Sequence, residues 1–144
     1  MKLTICIVVT FLCGLLFACT ENHNWTPLPA IENLNKDDQV FYDGTSIIQK
    51  SNYFQIATKV ILGEKSRHDL IIIAKKIAPG KNYDGLQYSI QVKEVNCKEK
   101  RLRLLSFADF DKDDKEIDSG HEATAWSGFP PKSLDEQIYK LVCR

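Results

Sequence analysis

The stretch Pro130–Arg144 constrains the fold more than any other part of this chain. Ser133 stands before an apolar-periodic run and Glu136 follows three residues later. That is the spacing of a capping box, in which the serine hydroxyl takes a backbone N–H at the helix start and the glutamate reaches back to another. Pro130 and Pro131 disfavour helix before it. Asp135 and Glu136 lie at the positive end of the helix dipole, and Lys140 and Arg144 at the negative end. Leu134, Ile138, Leu141 and Val142 fall at i, i+4, i+7 and i+8, one apolar face. A helix of roughly ten residues is marginal alone. It must therefore pack on a larger apolar surface, and it stops at a cysteine, Cys143.

The cysteine count gives that ending its meaning. The chain has 144 residues and five cysteines, an odd number for an exported protein, and its N-terminus reads as an export signal. Lys2 is followed by an uncharged apolar run from Leu3 to Phe17, too short and weakly flanked for a membrane span. Leu16-Phe17-Ala18-Cys19 resembles the bacterial lipobox, in which cleavage before the cysteine is followed by its lipid modification. Phe17 stands where a small residue is usual, and ordinary secretion with another cleavage site is the alternative. If the lipobox is used, Cys6 and Cys13 leave with the signal and Cys19 carries lipid. Cys97 and Cys143 then remain as an even pair in an oxidising compartment, which favours a disulfide. Closing a loop of about 47 residues, that bond is worth roughly 4 kcal/mol. Thr20, rather than aspartate, after Cys19 resembles the outer-membrane pattern of enterobacterial lipoproteins. The expected organisation is a signal peptide over 1–18, a lipid-anchored tether over 19–36 and one domain over 37–144.

The rest of the chain reads mainly as strands. Trp25 is a candidate for a first strand. Gln39–Tyr42 and Thr45–Ile48 read as short strands around an Asp43-Gly44 turn. Tyr53 to Leu62 alternates, with Phe54, Ile56, Thr58, Val60 and Leu62 on one face. Leu70–Ala74, a continuous run rich in β-branched residues, reads as a strand buried on both faces or at an interface. Tyr88 to Cys97 alternates again, and Leu102 to Phe110 sets Arg101 and Arg103 opposite Leu102 and Leu104. Asp111–Lys115 has hairpin-loop composition, Glu116-Ile117 begins a return strand, and Trp126 is placed near that strand's end. With the terminal helix this is an α+β chain: an antiparallel sheet with one C-terminal helix packed on a face.

Few residues nominate chemistry. Formal net charge is zero, so nothing favours nucleic acid as a partner. His23, His68 and His121 are scattered without metal-ligand spacing. No Gly-x-Ser-x-Gly elbow is present, and no cysteine of the processed chain is left as a nucleophile. Asp109, Asp111 and Asp113 carry an alternating acidic pattern, but Asp114 and Gly120 stand where an EF-hand loop needs glycine and glutamate. The expectation is a non-catalytic protein with no cofactor and no metal. Lys93, Lys98, Lys100, Arg101 and Arg103 cluster around Cys97, and several would share a face of alternating strands. Lys93, Lys98, Arg101 and Arg103 are the candidate partner-binding residues, with Tyr53, Tyr83 and Tyr88 as available aromatic anchors.

Several of these segments also carry a family pattern. Val92–Cys97, Lys100–Ser106, Phe110–Asp113, Trp126 and Leu134–Cys143, with Trp25-Thr26, Phe41-Tyr42-Asp43 and Ser46-Ile47 upstream, resemble the surface-adhesin protein E family in order and spacing. The resemblance covers most of the processed chain and is weak from Gly63 to Asp84. It implies an antiparallel sheet of about six strands, curved around the terminal helix and locked by Cys97 and Cys143. It also implies a small outer-membrane or surface lipoprotein, sometimes a homodimer, held to the membrane by its N-terminal lipid. The functional expectation is an adhesin-type module for host extracellular-matrix or plasma proteins. A structural envelope lipoprotein that binds other envelope components is the alternative.

Overall fold

The computed structural model describes residues 23–29 and 31–144, so the signal segment and Cys19 lie outside the described residues. Six strands form one open sheet in which sequence neighbours are also spatial neighbours: β1 (Trp25–Pro27), β2 (Gln39–Lys50), β3 (Tyr53–Ile61), β4 (Leu86–Asn96), β5 (Arg101–Asp111) and β6 (Glu116–Gly120). Every pairing is antiparallel. Among the described residues there are two helices, α1 (Glu64–Ile77) between β3 and β4 and α2 (Leu134–Val142) near the C-terminus. This is the expected α+β architecture with one helix more than expected.

The register divides the side chains of the sheet between two faces. Phe54, Ile56, Thr58 and Val60 of β3 stand opposite Val95, Lys93, Gln91 and Ser89 of β4. On β5 the same face continues through Leu102, Leu104, Phe107 and Asp109. Both helices pack on this inner face. The core at one end gathers Ile56, Val95 and Leu102 beneath Ile138 and Val142 of α2. At the other end Val40, Val60, Leu62, Tyr83 and Leu86 meet Ala74 of α1. Ile31 belongs to that second core. It and β1 carry the packed unit into the segment read from sequence as a tether.

The helix α2 follows its local chemistry. The Ser133 hydroxyl accepts from the Glu136 N–H at 3.2 Å. The Glu136 carboxylate reaches back one residue further than the usual box, taking the Lys132 N–H at 2.8 Å. That bond, with a second from Lys140, holds the Glu136 carboxyl below its ordinary range. Ile138 is fully buried, and Cys143, the residue that ends the helix, bonds to Cys97 with the two Cα atoms 5.5 Å apart. The bridge spans 46 positions and joins the end of α2 to the β4–β5 turn.

Two expectations are corrected. The run Leu70–Ala74 is not a strand but the middle of α1. The β-branched residues Ile71, Ile72 and Ile73 favour a strand locally, but the longer window carries helical spacing, with Ile71, Ala74 and Ala78 packed on the core. The ends decide the matter. Asp38 accepts from the Gly63 N–H at 2.7 Å and from the Ser66 hydroxyl at 2.6 Å, supplying from a preceding loop the anion that Gly63 cannot offer. A Cβ on residue 63 would lie 2.6 Å from that of Asp37, so this close approach needs glycine. Lys75 and Lys76 occupy the last turn.

Asp43-Gly44 is likewise not a turn between strands, because β2 runs unbroken from Gln39 to Lys50 with a bulge between Asp43 and Ile48. Asp43 holds this irregularity. Its carboxylate, 2% exposed, accepts from the Thr45 N–H at 2.8 Å and hydroxyl at 2.6 Å, from His23 Nδ1 at 2.7 Å and from the Asn24 N–H at 3.4 Å. The group thereby pins the residues leading into β1 onto β2.

Burial pushes the Asp43 carboxyl up, but the bonds from Thr45, His23 and Asn24 outweigh it and hold the group below the ordinary value of 3.8. A folded pKa below the unfolded one stabilises the fold above the unfolded value, and that contribution is lost as pH falls through the folded one. Asp43→Asn is expected to cost about 1.5–3 kcal/mol at neutral pH and to flatten the fall in stability below about pH 4. Urea unfolding between pH 2.5 and 7 measures both, and an unchanged acid limb contradicts the assignment. Cys97→Ser/Cys143→Ser is expected to lower stability by roughly 4 kcal/mol with the sheet retained. A loss below about 1 kcal/mol would show that α2 holds without the bond.

Candidate functional site

No helix packs on the outer face of the sheet among the described residues, and its side chains cover it themselves. At the end nearest the β4–β5 turn two cross-strand rows lie side by side. One runs Ile48, Gln55, Glu94, Arg103, and the other Lys50, Tyr53, Asn96, Arg101. The segment after β6 folds back along β5, where Ser127 pairs with Leu102 and delivers Trp126 to the same surface.

Arg103 organises this end. Its guanidinium makes two contacts with the nearly buried Glu94 carboxylate, Nε at 2.7 Å and Nη2 at 2.6 Å. It also lies 4.5 Å from the centre of the Trp126 ring, and Tyr53 meets Trp126 at 5.2 Å between ring centres. Glu94 is 5% exposed, so its charge is satisfied inside the surface and the outward character stays basic. Lys50 and Arg101 in the neighbouring row and Lys98 and Lys100 in the β4–β5 turn are exposed, and Ile48 adds an exposed apolar side chain. Trp, Tyr and Arg packed together with a polar surround have the composition of a protein-binding centre.

The four basic candidates do not share this surface. Arg101 and Arg103 lie on it and Lys98 is exposed in the adjoining β4–β5 turn, whereas Lys93 points to the inner face, 7% exposed, and pairs with Asp135 of α2 at 2.6 Å. Alternation along β4 puts Lys93 and Glu94 on opposite faces. Lys93 thus joins sheet to helix rather than protein to partner. Sequence reasoning misses Trp126 and Lys50, because only the register from β2 to β5 brings Lys50 to this end and only the Ser127–Leu102 pairing brings Trp126 to Arg103. Of the tyrosines, Tyr53 stands in the cluster. Tyr88 belongs to the other end of the outer face, stacked on Phe110 at 4.9 Å under Lys59, and burial together with Asp114 pushes its hydroxyl up to about 12. Tyr83 lies on the inner side, donating to Asp109 and Asp118.

The remaining candidate groups are dispersed. His23 bonds Asp43, His68 lies 3.6 Å from Asp69 on the surface, and His121 is exposed. Asp111 accepts from the backbone N–H groups of Asp113 and Lys115 within the hairpin loop, so its carboxylate closes the turn.

Arg103→Ala leaves the Glu94 carboxylate buried without a cation and removes the cover from Trp126. It is expected to cost about 2–3 kcal/mol in urea unfolding, while Arg103→Lys recovers part of that by restoring charge without the planar fork. A loss under about 0.5 kcal/mol for the alanine variant contradicts the central place given to Arg103.

No curated protein matches the chain. A family model described as surface-adhesin protein E matches residues 25–144, from the first residue of β1 to the C-terminus, and it therefore includes both cysteines of the bridge and the whole outer-face cluster. The chain belongs to the surface-adhesin protein E family.

Proposed function

We propose that this protein is a non-catalytic, lipid-anchored binding module of the bacterial outer membrane, displayed at the cell surface, that captures host extracellular-matrix or plasma proteins. The observation that carries this reading is the Tyr53–Trp126–Arg103 cluster, with Lys50 and Arg101 in the neighbouring row and Lys98 exposed in the adjoining turn, on a face that no helix covers among the described residues. Family membership points the same way. A partner with an acidic segment and an apolar or aromatic contact would complement it, the charges steering encounter and the rings providing the fixed centre.

Anchoring follows from the N-terminal pattern. Cleavage before Cys19 and acylation of its thiol would hold the chain to the membrane, and residues 20–24 would link that point to β1. Lys98→Glu/Arg101→Glu reverses two exposed charges that carry no ion pair among the described residues, so the fold is expected to persist. On immobilised matrix and plasma proteins the variant is expected to bind at least about ten-fold more weakly, with the difference shrinking as salt is raised. Equal binding by variant and wild type sinks the outer-face assignment. Protease treatment of intact cells is expected to remove the domain, and Cys19→Ala is expected to abolish incorporation of labelled palmitate. A protected domain would instead favour an envelope-internal partner.

A further inference from the structure

The inner face of the sheet is covered unevenly. α2 closes the end around Ile56 and Val95, and α1 rests on the opposite end through Ile71, Ala74 and Ala78. Alongside α1, over β4 and β5, a cavity of about 540 Å³ remains open. One wall is the α1 stripe Leu70, Ile73 and Ile77, at i, i+3 and i+7, which are 41%, 52% and 78% exposed. These side chains flank the line of Ile71, Ala74 and Ala78 that seats the helix, so they belong to neither core. Leu104 and Phe107 of β5 line the same cavity from the sheet.

The charged residues lining it are all of one sign: Asp38, Asp69, Asp109 and Asp118, with no lysine or arginine. Lys65 and Lys81 neutralise Asp69 and Asp118 from outside the cavity. Asp38 is held by the Gly63 N–H and the Ser66 hydroxyl, and Asp109 accepts from the hydroxyls of Tyr83 and Ser89. No lysine or arginine pairs with either among the described residues. Burial pushes the Asp109 carboxyl up, and Asp118 beside it adds to the effect. The lining therefore joins an apolar wall to a carboxylate pair whose second charge lacks a counter-ion.

We propose that this cavity binds a small cationic amphiphile, an amine or quaternary ammonium carried on an apolar body. The body lies along Leu70, Ile73 and Ile77, and the cation sits at Asp109 and Asp118. The volume is in the usual range for small-molecule sites, about 300–1,000 Å³, and the single sign of the lining charges selects the cation. Being on the side of the sheet opposite Arg103, the site is independent of the outer-face surface and can fail or stand without it.

Calorimetric titration of the purified protein with decyltrimethylammonium, below its micelle-forming concentration, tests the proposal against two probes that each lack one feature. Tetramethylammonium has the charge without the body, and decanoate has the body with the opposite charge. One equivalent of decyltrimethylammonium is expected to bind at least about ten-fold more tightly than either. Asp109→Asn is expected to remove most of the preference over decanoate. Ile73→Gln, at a half-exposed site where the fold tolerates it, is expected to weaken decyltrimethylammonium several-fold without altering circular dichroism. Decanoate binding as tightly as the cation overturns the proposal. So does an absence of binding, or uptake of several equivalents that Ile73→Gln leaves unchanged, which marks adsorption of a surfactant.

Discussion

The packing of Ile138 and Val142 onto Ile56, Val95 and Leu102, closed by the Cys97–Cys143 bond, is the constraint around which the rest of the molecule is arranged. A sheet of six strands with open edges has no interior of its own. It acquires one only where something covers an apolar face. α2 is short, and its capping bonds at Ser133 and Glu136 do not make it stable alone. The disulfide removes much of the entropy that the free helix would otherwise regain, and Lys93–Asp135 adds a charged bond between the β4 strand and the first turn. Apolar and ionic contacts thus act on the nine-residue helix, and the covalent one on the cysteine that caps its end.

Covering one face assigns the other. The inner face is spent on packing, except beneath the flank of α1, where the fit is incomplete and the cavity opens. The outer face is left to water and to partners, and its chemistry differs accordingly. Asp43 and Glu94 are buried there under their own hydrogen-bonding neighbours rather than under a helix. Arg103 neutralises Glu94 and at the same time supports Trp126, so a charge that would repel an acidic partner is kept from the surface. The bulges at Asp43 to Ile48 and Val92 to Lys93 adjust which side chains reach this end, as bulges commonly do near binding surfaces.

Where local chemistry and final structure agree, the chain is legible without coordinates. The α2 cap, the alternation of Tyr53–Leu62 and Tyr88–Cys97 and the Asp111–Lys115 loop are of this kind, each decided by residues close in sequence. The misreadings mark places where a distant residue decides. Ile71-Ile72-Ile73 has strand propensity, but Asp38 anchors the start of α1 from a loop that precedes β2. Asp43-Gly44 has turn chemistry, and Asp43 does bond Thr45 as a turn aspartate would. The structure uses that bond to shape a bulge and keeps the strand running. The basic cluster shows the limit most clearly. Spacing alone groups Lys93 with Arg101 and Arg103, while the parity of β4 sends Lys93 beneath α2. Trp126 could be placed beside Arg103 only with the register of the returning chain in hand.

α2 and its disulfide act as one clasp on the inner face, and the central strands of the sheet hold without it. Amide hydrogen exchange on the oxidised and the reduced protein, followed by mass spectrometry, tests this directly. Reduction is predicted to release protection first in Leu134–Val142 and at the β4–β5 turn, while β2, β3 and the middle of β4 keep theirs. Protection of α2 that survives reduction, or a simultaneous loss across all six strands, would contradict it.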